Sequence, residues 1–314
     1  MTDVLVFGAT SLVGSHFAAH PPSGVSIATA GRTPPGSLGI AVSRFDVVDL
    51  HDPAAVEQTV RRAPEAIVVN FAARTDVDGV EKERPTVSVP DPGRSKAFQV
   101  NTLGVEAMAR ASSAEGKLLI TISTDFVFDG RDGPYPESSL PHPLGPMVSW
   151  YGWTKGEGER RVRAALPEAA IVRIAYPYRP PYGGKTDFAG WVREKYRTGG
   201  LPPLYTDQVM SPTWVPDVTK AVSSLVLAPK SGTFHVASPT LASPHAFATG
   251  LLEAESGVRP TLAEGSLAAR LREPGVTPRP LRGGLRTDRV SELGFTPTRW
   301  EDGVRALVAA GSPA

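Results

Sequence analysis

A tyrosine and a lysine four positions apart, Tyr151 and Lys155, are the side chains of this chain best suited to acid–base chemistry. On a helix, this spacing places the phenol and the ammonium group on one face. The lysine charge favours the phenolate, so we expect it to lower the tyrosine pKa toward the operating pH. The pattern is common by chance, and its meaning depends on the elements around it.

A hydroxyl-bearing residue completes this candidate site. The aliphatic run at residues 118–123 predicts a buried strand, and Thr124 stands where that strand ends. A hydroxyl at that end would hydrogen-bond a substrate carbonyl beside Tyr151. Thr124, Tyr151 and Lys155 therefore predict chemistry at a carbonyl group.

A glycine-containing turn near the N-terminus predicts a nucleotide site. The turn follows a first apolar run, at residues 4–7, and precedes a helical pattern. In that context glycines permit a tight turn and let backbone N–H groups approach a pyrophosphate, whose negative charge the following helix end favours. Serine stands where a middle glycine is common. The predicted cofactor-binding residues of the turn are Gly8, Thr10, Ser11, Leu12, Val13 and Gly14.

Further cofactor contacts are predicted at the ends of the next three apolar runs. An arginine after the second run suits the 2′-phosphate of NADP, where an acid would bind the ribose of NAD. A carboxylate at the end of the third strand, Asp46 before Val47, can accept the adenine amino group. Small residues after the fourth strand, at residues 67–70, let a dinucleotide lie on the backbone. These residues are Arg32, Asp46, Val47, Phe71, Ala72 and Ala73, with NADPH as the expected cofactor and NADH as the alternative.

The elements that must position these residues alternate between strands and helices. Apolar runs at residues 4–7, 25–30, 67–70 and 118–123 predict buried parallel strands. Helical patterns lie between them. Asp52 and Pro53 predict the N-cap and first turn of a helix that reaches Arg62, and a second helix is predicted over 98–114. This alternation predicts an α/β fold, with a Rossmann-type doubly wound parallel sheet.

The second half of the chain predicts a smaller mixed lobe. Residues 176–184 are rich in proline, tyrosine and glycine and predict a loop, and residues 258–284 predict no firm element. We predict an NAD(P)-binding Rossmann domain over 1–175 and a substrate-binding lobe over 176–314, part of which returns to the first domain. Strands of the second half are predicted at 204–205 and 233–236, and helices at 216–227, 243–256 and 300–309.

Composition argues against several classes of function. The net charge of +1 gives no electrostatic reason to bind nucleic acid or an anionic membrane. A chain without cysteine has no thiolate nucleophile or cysteine-ligated metal, and the six histidines show no metal-binding spacing. The first residues do not resemble a signal peptide, and no apolar run is long enough to span a bilayer. We expect a cytoplasmic protein with a small-molecule substrate and no metal. The sequence does not decide between a monomer and a homodimer.

Together these patterns predict reduction of a carbonyl group. The hydride comes from a bound nicotinamide, whose chemistry the cofactor supplies. Tyr151 donates the proton as general acid, and Thr124 hydrogen-bonds the developing oxyanion. Lys155 tunes Tyr151 and positions the cofactor.

Five stretches of the chain resemble the dTDP-4-dehydrorhamnose reductase family, part of the extended short-chain dehydrogenase/reductase superfamily. The resemblance covers residues 1 to about 230 well and is fainter beyond, with Arg279 and Pro280 as a partial echo. It implies NAD(P)H-dependent reduction of the 4-keto group of a nucleotide-linked 6-deoxyhexose. The five stretches are residues 8–14, 70–78, 123–130, 151–155 and 207–213, of which the block 123–130 is the most specific.

The resemblance also implies site residues. It carries over Thr124, Tyr151 and Lys155 as the catalytic set, adds Thr75 to the cofactor site, and places Asn101 at the start of the fourth helix. The implied substrate-binding residues are Asp125, Phe126, Trp153, Tyr176, Asp187 and Gln208.

Several positions depart from the family pattern. Phe126 replaces a tyrosine, so one hydroxyl is missing. Asp187 stands where asparagine is usual, and its carboxylate would repel a diphosphate unless Lys185 or Arg193 compensates. Residues 81–97 form a longer connection that could reshape the pocket mouth.

Other functions share this fold. A dehydratase would follow the threonine with Asp-Glu, whereas here Phe126 follows Asp125, which disfavours elimination. An epimerase generally keeps NAD bound, and the lack of an acid after Gly31 argues against it. A reductase of another carbonyl and a non-catalytic NADP-binding regulatory subunit both stay open. Oxidation of NADPH by a keto-sugar nucleotide would separate an enzyme from such a subunit.

Overall fold

The computed structural model describes residues 2–85 and 92–311. Within these ranges the chain forms eleven strands, seven of which belong to one parallel sheet. In chain order the strands are β1 (Thr2–Phe7), β2 (Val25–Gly31), β3 (Arg44–Val47), β4 (Ile67–Asn70), β5 (Leu118–Thr124), β6 (Ala170–Ile174), β7 (Pro177–Tyr178), β8 (Leu204–Tyr205), β9 (Thr213–Trp214), β10 (Gly232–His235) and β11 (Glu264–Gly265).

Helices connect and cover these strands. They are α1 (Gly14–Ala19), α2 (Pro53–Arg62), α3 (Val77–Glu81), α4 (Lys96–Phe98), α5 (Val105–Ala114), α6 (Trp150–Ala165), α7 (Phe188–Arg197), α8 (Val215–Leu227), α9 (Pro244–Ser256), α10 (Leu267–Arg270) and α11 (Trp300–Ala309). Short 3₁₀ turns lie at Pro35–Leu38, Pro92–Arg94, Asp125–Val127 and Val290–Leu293, and a π-helical segment lies at Gln99–Gly104. Within the described ranges, no helix is long and apolar enough to cross a membrane.

The large sheet runs in the order β10, β6, β5, β4, β1, β2 and β3, and all of its pairings are parallel. The order turns back on itself at β1 and β4, as a doubly wound sheet requires. The predicted α/β fold with a Rossmann-type parallel sheet is confirmed. All seven carboxyl ends meet at one edge, so the residues that follow the strands lie along that edge.

Each face of the sheet is covered by its own group of helices. Alternate residues of a strand point to opposite faces, and in β1 Val6 packs with Phe17 of α1 while Leu5 packs with Met108 of α5. The first face carries α1 and α8, and the second carries α2, α5 and α6. Burial on both faces explains the continuous apolar runs from which the strands were predicted.

The second half of the chain builds a lobe at the carboxyl edge and also returns to the sheet. Side chains of α7, α9 and α11 form a separate apolar core, with Phe247 fully buried between Tyr178 and Trp300. After α8 the chain re-enters the sheet as β10, which pairs with β6.

Three segments differ from the sequence-based expectation. The loop predicted at 176–184 contains β7, which pairs with β9. A strand of two residues is too short to show the alternation of apolar and polar residues from which strands are predicted. Residues 258–284 contain β11 and α10. The helix predicted at 98–114 begins as α4 and passes through the π-helical segment before α5. Of the long connection at 81–97, residues 86–91 lie outside the described residues.

Candidate active site

The turn after β5 and the first turn of α6 bring two of the predicted catalytic residues together. Ser149 caps α6 by accepting the Gly152 N–H at 3.1 Å. A Cβ atom on Gly152 would lie 2.0 Å from the Phe126 carbonyl oxygen, so glycine is required for α6 to pack against that turn. This contact sets Tyr151 beside Thr124.

Tyr151 is 7% exposed, and its ring meets Phe126 edge-on at 5.7 Å between centroids. Burial raises the pKa of Tyr151 above its usual value; the hydrogen bond with Thr124 opposes this shift and the Asp125 charge adds to it. The expectation that Lys155 lowers the tyrosine pKa is therefore wrong for this structure. The phenol keeps its proton at neutral pH, which suits a proton donor.

The position of Lys155 explains the difference. Its Nζ atom donates to the Ile122 carbonyl of β5 at 2.7 Å, so the ammonium group is engaged by a strand, and Lys155 is not among the groups that shift the tyrosine pKa. Burial lowers the pKa of Lys155 to about 8, and the charge of Glu159 one turn further along α6 opposes that shift. The lysine is held rigidly at the same sheet edge as Thr124.

A buried ion pair, which the sequence reasoning missed, supports the lysine. Glu159 receives two hydrogen bonds from Arg173 of β6, at 2.9 Å from Nε and 2.6 Å from Nη2. Burial favours the neutral form of Glu159, but Arg173 outweighs it and holds the pKa of that carboxyl below its usual range. Arg173 is fully buried and also donates to the Ser139 carbonyl at 2.9 Å. A single acid and a single arginine 14 positions apart give no sequence signal of such pairing.

A polar cluster lies on the other side of Thr124. Thr124 donates to Asp125 at 3.2 Å, and burial raises the pKa of Asp125 to about 7. Gln208 donates from Nε2 to the Tyr176 hydroxyl at 2.9 Å and to the Pro280 carbonyl at 3.1 Å. Its Oε1 atom is buried without a hydrogen-bond partner among the described residues. Burial, followed by the Asp125 charge, raises the pKa of Tyr176 to about 12.

Tyr176 has a strained backbone, with φ at +44° in the left-handed region that non-glycine residues rarely adopt. This conformation turns the chain from β6 into the lobe. The structure thus brings together three of the predicted substrate residues, Asp125, Tyr176 and Gln208.

Trp153 stands apart from this cluster. Its indole stacks on Trp150 at 4.6 Å and on Phe98 at 5.7 Å, within an aromatic group that anchors α6 to α4. The structure therefore gives Trp153 a packing task, and its substrate role stays a prediction.

Asp187 has a local task in the structure. One carboxylate oxygen caps α7 by accepting the Gly190 N–H at 2.7 Å, and the other accepts the Arg179 N–H at 2.9 Å. Of the two cations expected to compensate it, Lys185 donates to Thr75 at 3.1 Å, whereas Arg193 pairs with Glu255 and its charge still favours the ionised form of Asp187. Burial raises the pKa of Asp187, and no part of this arrangement singles it out as a ligand-binding residue.

The glycine-containing turn has the predicted form. Gly8 has φ at +78°, and a Cβ atom there would lie 2.5 Å from the Ala72 nitrogen. A Cβ atom on Gly14 would lie 2.3 Å from the Gly8 carbonyl oxygen, so both positions require glycine. Ser11 accepts the Gly14 N–H at 3.0 Å, which closes the turn with a side chain where a glycine is common.

The remaining predicted cofactor residues lie along the same edge. Arg32 is exposed just after β2, and Val47 at the end of β3 is 81% exposed, which leaves an apolar surface beside the turn. The Asp46 carboxylate, expected to accept the adenine amino group, already accepts a hydrogen bond from Arg44 at 3.0 Å. Phe71 packs on Phe17, 5.5 Å between ring centroids. A narrow turn with an exposed arginine and an exposed valine beyond it fits a dinucleotide.

Asn101 lies in the π-helical segment and ties the β4 loop to α6. It accepts the Arg74 N–H at 2.9 Å and donates to the Arg74 carbonyl at 3.1 Å and to Thr154 at 3.2 Å. Single π turns inside helices are frequent at functional sites. Asn101 therefore fixes the segment that holds Thr75 relative to the helix that holds Tyr151.

A cavity of about 580 Å³ opens between α3 and the segment around α10. Arg279 lines it and donates to both carboxylate oxygens of Asp78, at 2.8 and 3.0 Å. Cations and carboxylates alternate in the lining, with Lys82, Arg270 and Arg279 beside Asp78, Glu81 and Glu273. The stretch for which the sequence predicted no firm element thus supplies one wall of this cavity.

Comparisons with known proteins agree with this architecture. The family model of the RmlD substrate binding domain matches residues 1–312. The dTDP-4-dehydrorhamnose reductase of Mycobacterium tuberculosis is 32% identical over 314 residues, which covers 98% of this chain and 92% of the relative. A probable low-salt glycan biosynthesis reductase of Haloferax volcanii is 36% identical over 270 residues and covers 84% of each chain. The same fold is found in the crystal structure of dTDP-4-dehydrorhamnose reductase from Bacillus anthracis, a complex with NADP. The two structures superpose with a TM-score of 0.78 and 24% sequence identity, and the match covers 98% of this chain and 99% of that one.

Proposed function

This chain belongs to the family of the RmlD substrate binding domain, and on that premise we propose that it reduces the 4-keto group of a nucleotide-linked 6-deoxyhexose with NADPH, NADH being the alternative. Relatives named dTDP-4-dehydrorhamnose reductase match nearly its whole length. The observation that carries the proposal is that Tyr151 lies beside Thr124, with Lys155 bound to the same strand, at the sheet edge that also holds the glycine-containing turn.

The mechanism assigns one task to each of these three residues. When bound along this edge, a nicotinamide cofactor would supply the hydride. Tyr151 keeps its proton at neutral pH because it is buried, and it donates that proton to the substrate oxygen. Thr124 donates to Asp125 in the structure and would donate to the substrate oxygen in its place. Lys155 is charged below about pH 8 and, held at the Ile122 carbonyl, would position the cofactor.

Two features support a nucleotide sugar as the substrate. The cavity beside the site is lined by Lys82, Arg270 and Arg279 and by three carboxylates, so a diphosphate would take the place of Asp78 on Arg279 and of Glu273 on Arg270. The buried Oε1 atom of Gln208 is an acceptor without a partner in the described chain, so a sugar hydroxyl would satisfy it. Asp125 offers a second acceptor nearby. Tyr176, Gln208 and Asp125 are therefore the residues we assign to the sugar.

The test is oxidation of NADPH by purified protein given a dTDP-4-dehydro-6-deoxyhexose. We expect Tyr151→Phe to lower kcat by about 10²-fold or more, the usual scale for losing a general acid, with little change in NADPH affinity. Tyr196→Phe is the matched control, because that ring is 47% exposed on α7, and it should keep full activity. Full activity of Tyr151→Phe would exclude the mechanism.

The same assay separates the alternatives. Turnover of simple ketones but not of the nucleotide sugar would indicate a reductase of another carbonyl. Interconversion of sugars without net oxidation of NADPH would indicate an epimerase, and absence of turnover with stable binding to a second enzyme would indicate a regulatory subunit. A cytoplasmic location and a homodimer stay predictions, which cell fractionation and light scattering of the purified protein would test.

A further inference from the structure

Arg179 is a buried arginine that reaches from the second half of the chain to the glycine-containing turn. It lies in the loop between β7 and α7 and is 8% exposed. Its Nη1 atom donates to the Leu12 carbonyl at 2.9 Å and to the Ser15 hydroxyl at 2.7 Å. These contacts join residues more than 160 positions apart.

The contact with Leu12 satisfies a carbonyl at the start of α1. The N–H of His16 donates to Val13 at 3.1 Å, one residue short of the α-helical partner, so Arg179 takes the Leu12 carbonyl instead. The turn that would hold a pyrophosphate is therefore shaped in part by Arg179.

The charge of Arg179 is only partly compensated. Its side chain makes no carboxylate hydrogen bond within the described ranges, and its guanidinium lies 4.2 Å over the Tyr182 ring. Asp187 contributes a favourable charge, yet its two oxygens are occupied by backbone N–H groups. Burial lowers the pKa of Arg179, which means that the site holds a cation at some cost.

Part of the guanidinium remains available. The side-chain hydrogen bonds described use Nη1 and Nε, which donates to the Pro180 carbonyl at 3.2 Å. The Nη2 atom has no such partner, and it is not among the atoms sealed from solvent. An anion at the turn would find two N–H donors on it.

We propose that Arg179 is a cofactor-binding residue that holds the glycine-containing turn through Leu12 and Ser15 and gives its Nη2 group to the pyrophosphate of the dinucleotide. This inference rests on the proposed function only in taking a dinucleotide as the ligand of the turn. Arginine suits the task because its planar group can serve a carbonyl, a hydroxyl and a phosphate at once.

The rest of the loop supports the assignment. Lys185 donates to Thr75, a predicted cofactor residue after β4. The loop 179–187 thus contacts the connections that follow β1 and β4, through Arg179 and Lys185, on both sides of the place where the dinucleotide would lie.

Binding of three ligands to the full-length protein tests the proposal without turnover. ADP carries the diphosphate, adenosine 2′-phosphate carries only the 2′-phosphate, and NADPH carries both. By titration calorimetry, we expect Arg179→Gln to weaken ADP and NADPH about tenfold, on the scale of one charge-assisted hydrogen bond, and adenosine 2′-phosphate less than about twofold. Arg179→Lys, which keeps the charge but not the fork, should weaken ADP by about threefold.

The control is Arg259→Gln, which removes a charge of the same lobe that pairs with Glu253 and is 73% exposed, and it should leave all three affinities unchanged. Equal ADP affinity in Arg179→Gln and the unchanged protein overturns the proposal. Equal weakening of all three ligands also overturns it, because the arginine would then only stabilise the turn. Failure of the unchanged protein to bind ADP and NADPH overturns both this inference and the proposed function. The expected binding pattern without sugar reduction overturns the proposed function alone.

Discussion

Glu159→Gln should destabilise the protein by about 3–5 kcal/mol, because it leaves the Arg173 guanidinium buried without a counter-charge. Arg173 is fully buried and Glu159 is 3% exposed, so water cannot take the place of the lost carboxylate. The two hydrogen bonds between them, at 2.9 and 2.6 Å, use both carboxylate oxygens. A glutamine amide can accept one of these bonds but presents a donor toward the other.

Urea denaturation with unchanged m-value measures the loss of free energy of unfolding. The matched control is Glu157→Gln on the same helix, whose partners Arg160 and Arg161 have side chains 65% and 28% exposed. That change should cost less than about 1 kcal/mol, as for other solvent-screened pairs. In thermal denaturation, at about 2–4 °C per kcal/mol, the two variants should differ by on the order of 10 °C.

A double variant tests whether the loss of stability comes from the unpaired charge of Arg173. Replacing both partners, as Glu159→Leu with Arg173→Met, removes the charges together and should recover most of the stability that Glu159→Gln loses. If Glu159→Gln is no less stable than Glu157→Gln, the pair does not act as a buried ion pair and the reasoning is refuted.

Three further outcomes are expected. Burial lowers the pKa of Lys155 to about 8, so its charge is present below pH 8 and lost above it. When kcat/KM is measured from pH 6 to 10, it should therefore fall about tenfold per pH unit on the alkaline side. A flat profile would contradict a role for the charged lysine in catalysis. Gly8→Ala should lower the free energy of unfolding by several kcal/mol in chemical denaturation, because φ is +78° and the new Cβ atom would lie 2.5 Å from Ala72. The control Gly24→Ala, with φ at +77° and no neighbour within 4 Å, should cost about 1–2 kcal/mol. Equal losses in the two variants would argue against the clash. Arg32→Ala should weaken NADPH by about tenfold more than NADH in binding titrations, and equal effects would contradict a contact with the 2′-phosphate.

Local patterns carried the prediction of the fold. The apolar runs at β1, β2, β4 and β5 are continuous because both faces of the sheet are covered, and the Asp52-Pro53 pair starts α2 because an N-cap and an N1 proline act over one turn. Tyr151 and Lys155 lie on one face of α6 because their spacing matches the helical repeat.

Contacts between distant residues account for what the sequence did not predict. The pKa of Tyr151 depends on burial by elements that pack around α6, and Lys155 is engaged by Ile122, 33 positions away. Arg179 meets Leu12 across 167 positions, and nothing in the composition of its loop indicates that partner. Such pairings follow from the tertiary arrangement, and no local period or spacing encodes them.

The return of the chain to the sheet as β10 constrains the order in which the protein can be completed during synthesis. The five residues of β6 are all buried, yet their outer neighbour is made only after the intervening residues 175–231 have been translated. Until then β6 presents an uncovered edge, the kind of surface to which another chain can add. The link is chemical as well as topological, since Arg173 of β6 meets His235 of β10 at 3.3 Å. An exchange of substrate lobes between relatives would therefore have to leave α8 and β10 with the sheet that they complete.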